Sequence, residues 1–195
     1  MAVVEGQGEV AALPILLRRI AAVLGVHVDV PDPIRVRRNK VVKPEEVERV
    51  VELAARRAGP EGRILLLLDA DQDCPAELAP ELLQRAIVAR SDRPISVVLA
   101  KSEFEAWFVA AAESIAGKRS IQASARAPAN PESISDAKGW LSGCMPAGRP
   151  YRSTRDQPGL AAVFDLEAAR TAPSFDKFWR EVVRLLESDP SQGQG

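Results

Sequence analysis

Apolar residues in this chain repeat first at the spacing of buried strands and then at that of amphipathic helices. Ala2-Val3-Val4 is a short apolar run followed at once by Glu5-Gly6-Gln7-Gly8-Glu9, after which Leu13, Leu16, Leu17, Ile20 and Leu24 recur at helical spacing. Strand, tight glycine turn and helix account for that pattern. Pro14 has no N–H to donate and suits the first turn of the helix, which leaves Glu5 to Glu9 in or near the loop and Glu5 at the strand's carboxyl end. Val26 to Val30 alternates and predicts a second strand that contains His27 as a structural residue and is interrupted by Pro31-Asp32-Pro33. Pro44-Glu45-Glu46 opens a helix with Val47, Val50, Val51 and Ala54 on one face and Gly59-Pro60 as its stop. The run Ile64 to Leu68 is a buried strand with an acidic end, and the turn Cys74-Pro75 leads to a helix that Pro80 opens and that buries Leu82, Leu83, Ala86 and Ile87. Ile95 to Ala100 is the fourth strand.

Strands alternating with helices over residues 1–117 predict an α/β, Rossmann-like fold: a mostly parallel sheet of about four strands flanked by helices. From residue 118 the strand signal ends. A short helix near Ser135 to Leu141, a Gly/Pro-broken loop through Arg155 and two closing helices predict a helical extension, 118–187, packed on the first unit. The last helix takes Ser174 as its N-cap and places Phe175, Phe178, Trp179, Val182 and Leu186 on one core-facing stripe. Residues 188–195 carry no large apolar side chain and predict a disordered tail.

A chain of 195 residues, 46% hydrophobic, can bury one full core, and a net charge of -1 excludes a generally basic nucleic-acid coat. Contact with a polyanion would have to come from a local patch, and Arg35, Arg37, Arg38, Lys40 and Lys43 form the one acid-free basic concentration. Cys74 and Cys144 have no CxxC spacing, which argues against a disulfide framework or zinc site and suits a reducing cytoplasm. No stretch approaches the ~18 consecutive apolar residues of a membrane span, so a soluble cytoplasmic protein is expected.

Ligands of open α/β sheets gather outside the carboxyl ends of strands, and three strands here end in ionisable groups: Glu5, Asp69/Asp71 and Lys101. On an extended chain Asp69, Asp71 and Asp73 alternate to the same side, and converged carboxylates repel unless a hard cation such as Mg2+ or Mn2+ sits among them. Helix capping alone would account for Asp73 but not for three in succession. The D-x-D-x-D opening is not an EF-hand, because the sixth position is Cys74 and the twelfth Pro80. A haloacid-dehalogenase-type phosphatase or a nucleotide-sugar transferase also uses strand-end aspartates, but neither accounts for Glu5-Gly6.

Val4-Glu5-Gly6 and Asp69-Ala70-Asp71 together resemble the two signature motifs of the Toprim domain, found in topoisomerases, DnaG-type primases and overcoming-lysogenization-defect nucleases. Adding Glu103-Phe104-Glu105-Ala106-Trp107, Asp156-Gln157 and Ala172-Pro173-Ser174-Phe175 extends the resemblance to a Toprim-related bacterial family often encoded beside an AAA/ABC-type ATPase. The resemblance implies that Asp69 and Asp71 hold Mg2+ and that Glu5 is a further ligand or the proton-transfer group of a nuclease. It also implies an ATPase partner and a role in anti-phage defence. A second metal would draw on Glu9, Asp73 and Glu103; Glu105 stands three residues after Ser102 in a capping-box sequence, so Glu103 is preferred. Lys101 could stabilise charge developing on phosphorus or be an ordinary solvated lysine, and the basic patch could track a nucleic-acid backbone, with DNA the expected target. Trp107 and Phe108 are expected in the core, and Asp156 as the cap of a helix that Pro158 enters. The alternatives to a nuclease are a non-catalytic regulatory or binding subunit and a haloacid-dehalogenase-like phosphatase.

Overall fold

The computed structural model describes residues 1–187, so the predicted tail 188–195 lies outside the described residues. The first half alternates β1 (Ala2–Val4), α1 (Gln7–Val23), β2 (Ile34–Arg35), α2 (Arg38–Val41), α3 (Glu46–Ala58), β3 (Ile64–Asp69), α4 (Pro75–Ala89) and β4 (Ile95–Ala100). The remainder is helical: α5 (Ala106–Ala110), α6 (Ala112–Ile115), a 3-10 turn (Pro131–Ser133), α7 (Ala137–Gly143), α8 (Ser153–Ala161), α9 (Leu166–Ala169) and α10 (Pro173–Glu187). The four strands pair in parallel in the order β2-β1-β3-β4, with Val4 level with Leu67 and Asp69 level with Ala100. From β1 the chain builds outward to β2 and then crosses to β3 on the other side. The carboxyl ends of β1 and β3 therefore flank the switch point of the sheet, where open α/β folds form their crevice.

Strand alternation divides the core in two. Ala2, Val4, Leu65, Leu67, Val98 and Ala100 face α1 and the C-terminal helices, whereas Val3, Leu66, Leu68, Val97 and Leu99 face α3 and α4. On the first side Phe104, Trp107, Phe108, Phe164, Phe175 and Phe178 form a chain of ring contacts with centroids 4.6 to 5.8 Å apart, so Trp107 and Phe108 are core residues as expected. Trp107 Nε1 donates to Ser174 Oγ at 2.8 Å, and the Ser174 N–H donates to Glu132 Oε1 at 2.8 Å. Ser174 thus lies inside α10 and ties it to α5, rather than capping it, while Glu132 satisfies an N–H of its first turn.

Several expected boundaries move. Pro14 lies inside α1, where it is buried, because the helix starts seven residues earlier at Gln7. Gly8 permits that start to lie on α8: a Cβ there would clash with Gln157 Oε1 and fall 2.7 Å from the Ser153 carbonyl oxygen. The second strand is Ile34–Arg35, and Val26 to Val30 forms none. Gly25, at φ 69°, ends α1, and Pro31 and Pro33 cannot donate to a ladder, so pairing with β1 begins only past them. His27 is accordingly exposed. Pro75, not Pro80, opens α4, and only Leu82 and Ala86 are buried there, with Ile87 41% exposed.

Truncation of Trp107 removes a fully buried ring and the hydrogen bond that joins α5 to α10. Trp107→Ala is expected to cost about 3–5 kcal/mol of unfolding free energy, read from urea denaturation; a cost below about 1 kcal/mol would contradict the packing described.

Candidate functional site

At the switch point, Glu5 lies just past β1 and Asp69 is the last residue of the neighbouring β3. Two further carboxyls enter from helices. Glu9, in the first turn of α1, is 5% exposed, and Glu105, before α5, is 1% exposed. Glu9 folds back on its own helix start, its Oε2 accepting the Glu5 N–H at 3.2 Å while the N–H of Gly6, the N-cap, also serves its carboxyl. Gly6 makes room for that fold: a Cβ there would sit 2.5 Å from Glu9 Oε1. Burial, with Glu105 and Glu5 nearby, nevertheless pushes the Glu9 carboxyl up to about 7 against the pull of the Gly6 and Glu5 N–H groups.

Asp69 is partly exposed as a residue, but its carboxyl is enclosed, and Oδ1 accepts the Phe104 N–H at 2.7 Å. The aspartate therefore fixes the entry to α5 as well as facing the site. Burial first, and then the charge of Glu9, drives its pKa well above the ordinary carboxylate range. Burial also raises Glu105, opposed by Lys138 and by the Tyr151 hydroxyl, which donates to Glu105 Oε1 at 3.0 Å. The Gln157 side-chain amide stands 3.5 Å from the same oxygen. Lys138, from α7, reaches Glu103 Oε1 at 2.7 Å and Glu105 Oε2 at 3.1 Å. Burial opposes its charge, yet Glu105, Glu103 and Asp69 together hold its pKa above the usual lysine value.

The aspartate series does not converge as strand alternation predicts. β3 stops at Asp69, Ala70 is buried, and Asp71 takes φ 49° in a turn whose N–H donates to the Ser102 carbonyl. Asp71 and Asp73 are exposed, and Asp73 precedes Cys74, the N-cap of α4, which receives no side-chain cap. Glu105, expected to complete a capping box, is buried in the cluster instead: Ser102 is at φ 61°, and Glu105 makes no cap bond to α5. Glu103, the preferred ligand of the two, is engaged by Lys138, accepting both its ammonium and its backbone N–H. Lys101 is partly exposed at the end of β4.

Arg35 borders the site, its Nε donating to the Glu5 carbonyl at 3.1 Å. Arg37, Lys40 and Lys43 are exposed around α2; Arg38 opens that helix, and its side chain lies outside what is described. Asp156 accepts the Arg152 N–H at the start of α8 and pairs with Arg155 and Arg149, and these partners outweigh its burial to hold its carboxyl low. Pro158 lies within that helix rather than at its entry. Sequence reasoning did not single out Lys138 or Tyr151. Tyr151 lies in the Gly/Pro-broken loop and Lys138 in a short helix with no acidic or metal-binding pattern beside it, so neither stood out until the chain brought it to Glu105.

Among the described residues no group of three or more His, Cys, Asp or Glu side chains is arranged so that it could hold a metal ion. The donor chemistry nevertheless fits a hard cation: Glu5, Glu9, Asp69 and Glu105 supply only oxygen, and burial disfavours the charges of Glu9, Asp69 and Glu105. No described helix is long and apolar enough to cross a membrane. A family model, the domain of unknown function DUF4276, matches residues 4–182, and the chain belongs to that family. No curated protein and no solved structure matches it.

The raised carboxyls give a pH dependence of definite sign. The unfolded chain releases the Glu9 proton near 4.5, whereas the folded protein keeps it to about 7. Folded protein therefore binds more protons across that window, and stability falls as pH rises through it. Thermal denaturation of metal-free protein is expected to show a lower midpoint at pH 8 than at pH 5.5, with Glu9→Gln flattening the difference. A midpoint that rises over this window would contradict the burial of uncompensated carboxyls.

Proposed function

We propose that this DUF4276 member is a Toprim-like, Mg2+-dependent hydrolase of nucleic-acid phosphodiesters that works in the cytoplasm with an ATPase partner. The observation that supports it most is that Glu9, in the first turn of α1, interacts electrostatically both with Glu5, just past β1, and with Asp69, the last residue of the adjacent parallel β3. A bound Mg2+ or Mn2+ would polarise a phosphate oxygen and lower the pKa of bound water. Asp69 and Glu5 would hold it, with Asp71 at the exposed mouth of the site. Glu9, with a carboxyl poised near 7, can take or give a proton at neutral pH. Arg35 stands beside Glu5, and with Arg37, Lys40 and Lys43 it offers an exposed basic margin for a phosphate backbone. Lys101, at the end of β4, is available to a developing negative charge. Two free thiols, Cys74 and Cys144, suit a reducing compartment, and the ATPase partner and a place in phage defence rest on the family resemblance alone.

One observation favours a second reading. The Lys138 ammonium already lies against Glu105, as it would in a binding subunit that needs no metal. The two readings separate in a cleavage assay on DNA and RNA with Mg2+ or Mn2+, with and without the partner ATPase. The nuclease reading expects metal-dependent cleavage that falls at least about 10–100-fold in Asp69→Asn and Asp71→Asn, the loss that even an outer-shell partner of a metal ligand brings. Nucleic acid that is bound but left intact under every condition would refute it and support a binding subunit.

A further inference from the structure

Lys138 is held differently by its two carboxylates. Its side chain is 41% exposed, whereas the side chains of Glu105 and Glu103 are 1% and 20% exposed. Glu105 is fixed in place by the Tyr151 hydroxyl and approached by Gln157, so it cannot follow a departing partner. Glu103 is anchored to α7, because its Oε2 accepts the Lys138 backbone N–H at 3.1 Å, and Asp136 holds the same helix start by accepting the Gly139 N–H. The lysine stem therefore has a fixed base, and its ammonium has one partner toward solvent and one toward the interior. It can give up Glu105 and still keep Glu103.

Resting on the metal-site reading above, we propose that Lys138 is the resident counter-ion of the carboxylate cluster, and that a divalent cation entering the site displaces its ammonium from Glu105 onto Glu103. The reason is electrostatic. An enclosed carboxylate that loses its cationic partner is strongly destabilised unless another cation replaces it. Lysine suits such a replaceable role, being a compact point charge on a flexible stem. Lys138 is thus a positioning residue: it bridges Glu105 and Glu103 while the metal is absent, and it withdraws from Glu105 when the metal arrives. The same exchange couples the site to α7, because the ammonium that moves belongs to that helix.

The test uses the full chain and metal ions alone. Binding of Mn2+ is measured by calorimetry, and metal-free stability by thermal denaturation, for wild type, Lys138→Met and Lys138→Arg. Lys138→Met is expected to melt several degrees lower without metal and to bind Mn2+ at least about tenfold more tightly, since the competing charge is gone. Lys138→Arg is expected to stay close to wild type in both. A purely structural lysine would give the loss of stability with unchanged or weaker Mn2+ binding, and that result overturns the proposal. If Lys138→Met does not fold, the wild-type Lys138 15Nζ resonance, assigned by its absence in Lys138→Arg, supplies the readout on adding Mg2+. A shift supports displacement, and an unmoved resonance while calorimetry shows Mg2+ bound overturns it. Metal bound with Lys138 indifferent defeats this proposal alone, whereas no metal binding by wild type or either variant defeats the metal-site reading with it.

Discussion

Enclosing several carboxyl groups where β1 and β3 end is the constraint to which the rest of the molecule answers. An isolated carboxylate costs several kcal/mol to bury, and Glu9, Asp69 and Glu105 are gathered in one place. The fold offsets that cost with three devices. A proton is retained on Glu9 to about pH 7. Backbone N–H groups reach carboxyl oxygens, from Glu5 to Glu9 and from Phe104 to Asp69. One ammonium, Lys138, stands against Glu105. Each device also places an element: Glu9 sets the start of α1, Asp69 the entry to α5, and Glu103 with Lys138 the seating of α7. Site and scaffold are consequently the same set of contacts.

This arrangement explains why the C-terminal helices matter to a site whose strands all lie in the first half of the chain. Tyr151, Gln157 and Lys138 come from beyond residue 117, and all three converge on Glu105. The aromatic chain from Phe104 to Phe178 holds those helices against α1 and the sheet, and Trp107 joins it to Ser174 by a hydrogen bond. A protein built from residues 1–117 alone would carry Glu9 and Asp69 but would lose the ammonium and hydroxyl that make the enclosure of Glu105 tolerable.

The parts legible in the sequence were those governed by local periodicity. Ala2–Val4, Ile64–Asp69 and Ile95–Ala100 are predominantly apolar runs, broken only by the terminal Asp69 and by Ser96, and each is a strand of the parallel sheet. Val26 to Val30 alternates equally well, but two prolines and the end of α1 deny it a partner, a tertiary matter that the pattern does not carry. Pro14 misled for a related reason: Gly8 allows close packing on α8, and burial of the first turns outweighs one missing N–H. At the site, Glu5 and Asp69 were readable because strand ends are readable. Asp71 departed because a positive φ follows the strand, and Glu105 was hidden because Ser102-Glu103-Phe104-Glu105 satisfies a capping pattern that the chain does not use.

A cation among these carboxyls would relieve in one step what the proton, the N–H groups and Lys138 relieve in part, and the functional reading stands or falls there. Anomalous diffraction from crystals equilibrated with Mn2+ tests it most directly. A peak within ligand distance of Asp69 and Glu5, with the Lys138 ammonium moved off Glu105, is the expected result. Absence of any peak at the ends of β1 and β3, with Glu9, Asp69 and Glu105 still enclosed around Lys138, would contradict it.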